Sequence, residues 1–545
     1  MRETEDRPGP IAIPNRRARI ERNGGVALVG IMLIFSAFPI ANLLLGLSTK
    51  DYGLWYQVGL AVRRGWDVYP RPETGRLFPF MYPPSAAAML GFVSLLGPTG
   101  TLIAMLLAHS VSWWVCIWLS VWLAVGPGQR RHPLVVIVPS LSVIVLVYNI
   151  YLLGQPNLML LAMVLGAFAC LRLGRGIAAG ALVATAAAVK AFPILILGYL
   201  VYRRMWAATV STVLALAAWL LIAPLAFRTP AQAVDDLMVW TQGMLLTYNT
   251  HGIAQRPLRS YSYKNQSIMA VAHRLLRDVP ADGEAVLSRR AKAGLGGPRA
   301  RQGPAPDPAT DLLSFLKPHH DPADGGVGMG PSSGSGPAAS PGSTGEGATA
   351  VEPLRRWDEE IKGAEPALRA AWKVNVFDLD FRAVTAITLA AMLGLCLFVA
   401  AVMPPRSDRT GATDALEFAL VTLLTLIFSP LSFNYAYVWL LYPTTLALHR
   451  VLNDPADPQA PRHRVKVGWI SAVLLIPALA IPMPQVAQAC GNLFVPAVLL
   501  IFGLGAMLRS EQRPVGRGPY SMKTKARTAE SSLPTRTADS PSLSY

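Results

Sequence analysis

An acid, several aromatic rings, an amide and basic groups lie close together between residues 51 and 82. The segment begins with Asp51, just after a long apolar run. A carboxylate can take the proton of a hydroxyl group, an aromatic face can hold a sugar ring, and a basic side chain can hold a phosphate. The candidate binding residues of this segment are Trp55, Tyr56, Gln57, Arg63, Tyr69 and Tyr82. The segment therefore contains the groups that sugar chemistry at a membrane surface needs.

The same segment also has a simpler interpretation. Trp and Tyr are common at both membrane–water interfaces. An aspartate that follows a membrane span is usually a solvated helix end. Spacing alone favours this simpler interpretation over a sugar site, so the choice between the two depends on the rest of the chain.

Polar groups in three other places are candidates for the same site. Lys190 interrupts an otherwise apolar stretch. An ionisable group in such a place is a functional candidate by default, but it is equally compatible with an anchor whose amine reaches the interface. The candidate contacts to sugar hydroxyl groups are the amides Gln155, Asn157, Asn265 and Gln266. Turn and capping chemistry is the alternative for each amide.

The composition indicates a polytopic membrane protein with an all-α fold. The chain has 545 residues, of which 52% are hydrophobic and 15% are charged. Soluble domains contain about 25% charged residues. Several apolar runs are near or above the ~18 residues that read as a membrane helix, and they have almost no polar face. This pattern argues against a large soluble protein.

The net charge of +17 is high enough to suggest a nucleic-acid partner. Much of the excess, however, lies at the ends of spans and in the tail after Arg509. That distribution is typical of the positive-inside bias and of affinity for anionic lipid heads. We therefore expect membrane lipids, and no nucleic acid, among the partners. The four cysteines lie in apolar stretches without a CxxC pair, so neither a disulfide, a metal site nor a cofactor is predicted.

Twelve runs are predicted as membrane spans: residues 26–47, 99–125, 133–151, 156–172, 176–189, 191–203, 206–227, 380–403, 413–430, 434–450, 466–486 and 488–508. The apolar segment 84–97 is shorter and is bounded by prolines and by Gly97. We predict a re-entrant or interfacial helix there. Glu417 lies in a predicted span, where it could pair with a buried arginine, but its position close to the end of the span favours a solvated carboxylate.

Arginine and lysine in the short loops place both termini in the cytoplasm. This orientation requires two short helices divided at Lys190, which then lies at the outer surface. The predicted organisation is a cytoplasmic tail 1–25, a membrane core 26–279 with a catalytic outer loop 48–82, a disordered outer insertion 280–372, C-terminal membrane helices 373–510 and a disordered cytoplasmic tail 511–545. The insertion is rich in Gly, Pro, Ala and Ser and cannot bury enough apolar surface to fold.

Five segments, in order along the chain, resemble bacterial membrane mannosyltransferases that use polyprenyl-phosphate-mannose. These enzymes form glycosyltransferase family 87 of the GT-C superfamily. The similar segments are Asp51 through Tyr69 to Phe80-Met81-Tyr82-Pro83-Pro84; Gly154-Gln155-Pro156-Asn157; Ala179-Gly180 through Lys190-Ala191-Phe192-Pro193, followed by Tyr202-Arg203-Arg204-Met205-Trp206; Asn265-Gln266-Ser267, with Arg274 downstream; and Phe428-Ser429-Pro430-Leu431-Ser432-Phe433-Asn434-Tyr435-Ala436-Tyr437-Val438-Trp439.

The resemblance implies a membrane helix bundle of the GT-C type, with a long first outer loop and short interfacial helices. It implies a hexosyltransferase, with mannose as the expected sugar, that takes the hexose from a polyprenyl-phosphate sugar. The acceptor would be a glycolipid or glycan at the outer face of the inner (plasma) membrane. Asp51 matches the family's base, which deprotonates the acceptor for an inverting attack. Lys190 and an arginine would meet the phosphate leaving group.

The sequence departs from the family pattern at Tyr435 and Ala436, where the family usually carries a histidine pair. The role of those histidines is either lost or transferred to Tyr435, Tyr437 or His251. Tyr435 is therefore another candidate substrate-binding residue. Two further functions stay open, a transporter or flippase of a lipid-linked sugar and a non-catalytic homologue.

Overall fold

The computed structural model describes residues 16–69, 80–129, 132–250, 252–253, 258–292, 361–453, 461–480 and 484–512. Within these ranges the chain is a bundle of α-helices. Its β-structure there includes one short antiparallel pair, β1 (Tyr248–Asn249) with β2 (Gly252–Ile253), and an isolated bridge between Asn265 and Phe433. The prediction of an all-α membrane protein is confirmed.

The described helices are numbered in chain order. The N-terminal helices are α1 (Arg16–Leu44), α2 (Asp51–Arg63), α3 (Pro84–Val93), α4 (Gly97–Val125), α5 (Leu134–Ser142), α6 (Ile144–Leu153), α7 (Asn157–Arg172), α8 (Gly176–Val189), α9 (Ile196–Tyr202), α10 (Trp206–Ala217), α11 (Pro230–Trp240), α12 (Ile268–Leu276) and α13 (Gly283–Lys292). The C-terminal helices are α14 (Phe381–Val402), α15 (Gly411–Phe428), α16 (Leu441–Leu452), α17 (Pro461–Leu475), α18 (Pro484–Ala489) and α19 (Phe494–Glu511).

Six helical runs in the described ranges are long and apolar enough to cross a membrane, or seven if α5 and α6 form one span bent by 50°. Three more apolar helices are shorter: α7, α8 and the run Phe192–Tyr202. Helical residues occur in every predicted span, but the number of twelve spans stays a prediction. α4 begins at Gly97, whose φ of +74° breaks the helical run at the predicted end of the short helix.

The core of the bundle forms around α15, most of whose side chains are buried. On the N-terminal side, α8 packs between α7 and α10, and α4 packs against α7. A Cβ atom on Gly180 would lie 2.3 Å from the carbonyl oxygen of Ala208, so glycine allows α8 and α10 to touch at backbone distance. Large apolar side chains such as Leu33, Leu107 and Leu397 remain exposed on the outer helices, as a lipid-facing surface requires.

The ends of the predicted disordered insertion 280–372 are ordered, which corrects its bounds. Its first end contains α13, and residues 361–369 at its other end are also helical. Both ends pack into one small apolar cluster, which we call the satellite cluster: Leu258, Tyr261, Val279, Val286, Leu287, Ala364 and Leu368. Residues 293–360 lie outside the described residues. So do 1–15 and 513–545 of the predicted tails, while 16–25 belong to α1.

Glu417 is fully buried and ion-paired, in contrast to the solvated end expected from the sequence. Its partner is Arg203, whose Nε donates to Glu417 Oε2 at 2.9 Å. Tyr199 donates its hydroxyl to the same oxygen at 2.9 Å. A further Arg203 nitrogen, Nη1, donates to the Pro404 carbonyl at 2.9 Å. The pair therefore ties α9 to α15 and to the end of α14.

Replacing Glu417 with glutamine is expected to destabilise the protein strongly. The Glu417→Gln variant leaves the Arg203 guanidinium buried without a counter-charge, and loss of one partner of a buried pair costs roughly 3–5 kcal/mol. Thermal unfolding in detergent measures the effect. The matched control is Glu365→Gln, because Glu365 is 52% exposed and pairs with Arg369 one helical turn away. Equal melting temperatures for the two variants would contradict a stabilising role of the buried pair.

Candidate active site

A cavity of about 950 Å³ lies where several membrane helices end. Its wall includes the segment after α1, the segment before α3, the residues after α8 and the loop after α15. Six of the predicted site residues line it: Asp51, Gln57, Tyr82, Gln155, Lys190 and Tyr435. The fold thus brings together polar groups that are far apart in the sequence.

Asp51 is the first residue of α2 and forms a polar chain with two other cavity residues. Gln155 donates from Nε2 to Asp51 Oδ2. Tyr82 donates its hydroxyl to Gln155 Oε1 at 3.0 Å. Burial raises the pKa of Tyr82 above its usual value, so the phenol stays protonated and remains a donor. These two hydrogen bonds fix the orientation of the Gln155 amide: its oxygen accepts from Tyr82, so its nitrogen must face Asp51.

Gln155 reaches Asp51 because the turn before it rests on one face of α2. Tyr52 and Trp55 are three residues apart in α2 and therefore lie on the same face. Trp55 donates from Nε1 to the carbonyl oxygen of Gly154 at 2.7 Å. Gly154 has a φ of +77°, and a Cβ atom there would lie 3.2 Å from the Tyr52 ring. Glycine thus permits both the turn and its close approach to the ring.

Four predicted contact residues of the first loop do not line the cavity: Trp55, Tyr56, Arg63 and Tyr69. Trp55 and Tyr69 are buried behind it. Tyr69 donates its hydroxyl to the carbonyl oxygen of Tyr82 at 2.7 Å, and the Trp55 ring packs against the Tyr82 ring at 4.8 Å between centroids. Their position in the structure is that of supports for Tyr82 and for the Gly154 turn.

Lys190 enters the cavity among three aromatic rings. It follows the last residue of α8 in an extended conformation. Its Nζ atom lies 5.8 Å from the ring centre of Tyr82 and 5.7 Å from those of Phe192 and Tyr435. Aromatic faces attract a cation at this distance. Burial lowers the pKa of Lys190 to about 8, Asp51 acts in the opposite direction, and Arg259 lowers the pKa further.

Arg259 is a cavity residue that the sequence analysis missed. It begins a 3₁₀ turn, Arg259–Tyr261, and its guanidinium carbon lies 5.3 Å from the ring centre of Phe433. Its Nη1 atom donates to Glu284 Oε1 at 3.0 Å. In the sequence it is one arginine among several in a polar loop, and only its place six residues before the Asn265-Gln266-Ser267 motif could have singled it out.

Asn157, Asn265 and Gln266 are fully buried and lie outside the cavity wall. Asn265 donates from Nδ2 to the carbonyl oxygens of Ser260 and Pro430, each at 2.8 Å. The backbone amide of Gln266 donates to the Ser432 carbonyl at 2.8 Å. The two amides therefore join the segment that carries Arg259 to the loop that carries Tyr435.

The three residues proposed to replace the family's histidine pair have different positions. Tyr435 lies at the cavity, with its ring beside Lys190. Tyr437 is fully buried and donates its hydroxyl to the carbonyl oxygen of Gln266. His251 lies outside the described residues. Of the candidates described, Tyr435 is therefore the one placed to act in the cavity.

The ionisable cavity residues include one acid and three bases: Asp51, Lys50, Lys190 and Arg259. This balance favours an anionic ligand. Within the described ranges, no group of three or more His, Cys, Asp or Glu side chains is arranged to hold a metal ion.

Residues 80–294 match the model of glycosyltransferase family 87. The match confirms the predicted resemblance to this family over these residues. It contains the cavity residues Tyr82, Gln155, Lys190 and Arg259, whereas Asp51 and Tyr435 lie outside the matched range. The family indicates a membrane glycosyltransferase, in agreement with the apolar helices. Searches of curated proteins and of solved structures gave no match to the chain.

Anion binding in the cavity is expected to weaken as the pH rises above about 8. The pKa of Lys190 is lowered to about 8, so its ammonium loses its proton in this range. Farnesyl phosphate is a suitable probe, because its second ionisation near pH 6 is complete by then. The affinity of the wild type should fall between pH 7.5 and 9.5, whereas Lys190→Arg should bind equally well throughout. The same decline in both proteins would mean that Lys190 is not the titrating group.

Proposed function

We propose that the chain is an inverting hexosyltransferase, with mannose the first candidate among sugars. In this proposal the donor is a polyprenyl-phosphate sugar, and the acceptor is a glycolipid or glycan at the outer face of the plasma membrane. The observation that carries the proposal is a single cavity that contains the Asp51 carboxylate, the Lys190 ammonium and an apolar wall. Each of these parts corresponds to one part of the reaction.

Asp51 is the proposed base. The carboxylate takes the proton of the acceptor hydroxyl while that oxygen attacks the anomeric carbon. The bond between the anomeric carbon and the phosphate oxygen breaks, and the phosphate leaves with the bonding electrons. Attack opposite the leaving group inverts the anomeric configuration. The hydrogen bond from Gln155 to Oδ2 helps to hold the carboxylate in place.

Lys190 is the proposed ligand of the leaving phosphate. Its Nζ atom lies within 6 Å of the centres of three aromatic rings, whose faces attract the ammonium, and its N–H groups can donate to an anion in the cavity. A lysine is a compact point charge that can follow the phosphate as the bond breaks. Tyr435 takes part in this cage at the position where the family usually has a histidine.

An apolar wall of the cavity fits a polyprenyl chain. Leu47, Leu195 and Leu245 line the cavity and are also exposed on the surface of the bundle. They come from the segment after α1, from the 3₁₀ turn after Lys190 and from the segment after α11. A prenyl chain that lies along them gains about 0.8 kcal/mol for each CH₂ group buried, which favours a lipid-linked donor over a soluble one.

A transporter or flippase is the less favoured function. Transport sites lie near the middle of the membrane, at broken helices with charges deep in the spans. The charged residues of the cavity instead follow helix ends: Lys50 and Asp51 come after α1, and Lys190 comes after α8. A non-catalytic homologue would bind the same lipid but transfer no sugar. The sugar-transfer experiment described next distinguishes it from an enzyme.

Replacing Asp51 with asparagine is expected to lower sugar transfer by ~10²-fold or more, because the base is lost while the size of the side chain is kept. Transfer is measured in membranes at matched expression, with a panel of polyprenyl-phosphate sugars. Asp67→Asn is the matched control, since Asp67 is an exposed acid of the same loop and does not line the cavity.

Three results would change the conclusion. Full activity of Asp51→Asn would exclude Asp51 as the base. A wild type that transfers no sugar from any donor would favour the transport or non-catalytic function. Retention of the anomeric configuration in the product would exclude direct attack by the acceptor.

A further inference from the structure

Arg259 has an unused hydrogen-bond donor beside the cavity. Its Nη1 atom is bound to Glu284, but its Nε atom is buried and has no hydrogen-bond partner in the described part of the chain. A buried donor without a partner costs about 1–3 kcal/mol, so such a group usually has a ligand or another role. The positive charge of Arg259 acts on two other cavity residues, since it lowers the pKa of both Lys190 and Tyr82.

The backbone before Arg259 has a conformation that only its surroundings can stabilise. Leu258 has a φ of +61°, in the left-handed region that costs a non-glycine residue about 1–2 kcal/mol. Its side chain is buried in the satellite cluster, which includes Val286 and Leu287 from one end of the insertion and Leu368 from the other. The packed ends of the insertion therefore hold the turn that presents Arg259.

α13 reaches Arg259 directly from the insertion. It begins at Gly283, where a Cβ atom would lie 2.7 Å from the Leu258 side chain. The next residue is Glu284, whose pair with Arg259 is 3.0 Å long. The two side chains are 27% and 36% exposed, so the pair adds only about 0–1 kcal/mol to stability. Its main effect is to fix the orientation of the guanidinium.

We propose that Arg259 is the second cation that binds the donor phosphate, beside Lys190, and that Glu284 is a positioning residue that orients it. This inference rests on the proposed function and deepens it, because it assigns the phosphate to a pair of cations from distant segments. It also makes the ordered ends of the insertion part of the binding site. The ligand chemistry is a phosphate ester on an isoprenoid chain.

Binding of farnesyl phosphate to the full-length protein in detergent tests the proposal, with farnesol as the uncharged probe. Arg259→Met keeps the length of the side chain but removes its charge. It should weaken farnesyl phosphate binding ~10- to 100-fold, the range for a charged hydrogen bond, and leave farnesol binding unchanged. The matched control is Arg289→Met, because Arg289 is an exposed arginine of α13 that does not line the cavity.

Glu284→Gln separates positioning from stability. It should lower kcat/KM for the donor several-fold, with part of the loss in kcat because Arg259 faces a phosphate that gains charge in the transition state, and with an unchanged melting temperature. Glu365→Gln serves as the control for removal of another exposed acid of the insertion. If Arg259→Met does not fold, Glu284→Gln and Arg259→Lys decide the matter, since Arg259→Lys keeps the charge and should keep most of the affinity.

The binding assay also distinguishes failure of this inference from failure of the proposed function. Equal farnesyl phosphate affinities for Arg259→Met and Arg289→Met would overturn the role of Arg259, even if sugar transfer depends on Asp51. Loss of binding in Arg259→Met would support the cation pair, even if no sugar is transferred. An unchanged kcat/KM for the donor in Glu284→Gln would overturn the positioning role of Glu284.

Discussion

The hydrogen bond from Trp55 Nε1 to the Gly154 carbonyl joins two segments 99 residues apart, and the geometry of the candidate site depends on it. It holds the Gly154 turn against α2, so that the Gln155 side chain can donate a hydrogen bond to Asp51. A membrane bundle provides few such contacts, because its lipid-facing helices satisfy their own backbone groups and present apolar side chains outward. Polar groups therefore gather where helices end, and a few specific bonds decide how they face one another.

A second set of buried hydrogen bonds attaches the segment 258–276 to the C-terminal part of the bundle. Arg274 is fully buried and donates to the carbonyl oxygens of Ser262 and Asn265, each at 2.8 Å, and to that of Ala489 at 3.0 Å. Together with the Asn265 amide it fixes the segment that carries Arg259 against the loop that carries Tyr435. Asn265, which belongs to a segment that resembles the family, thus connects two segments of the fold. The cavity residues Arg259 and Tyr435 lie in those two segments.

The sequence predicted the class of fold and the convergence of distant motifs, because apolar runs and helix-end polar groups follow from the membrane itself. It did not reveal which aromatic residues face the cavity: Trp55 and Tyr82 have similar chemistry, and only the packing of α2 separates them. Arg259 was missed because its orientation depends on Glu284 and on both ends of an insertion. Glu417 was assigned to solvent because its partner, Arg203, lies 214 residues away in the sequence.

The charges of the cavity fit the movement of charge in the proposed reaction. A polyprenyl-phosphate sugar is a diester with one negative charge, whereas the released monoester carries up to two near neutral pH. The additional charge comes from Asp51, which becomes neutral as it takes the acceptor proton. Negative charge therefore moves from the carboxylate to the phosphate during the reaction. Cations at the phosphate, Lys190 and Arg259, interact more strongly with the transition state than with the bound donor, which is the condition for catalysis rather than binding alone.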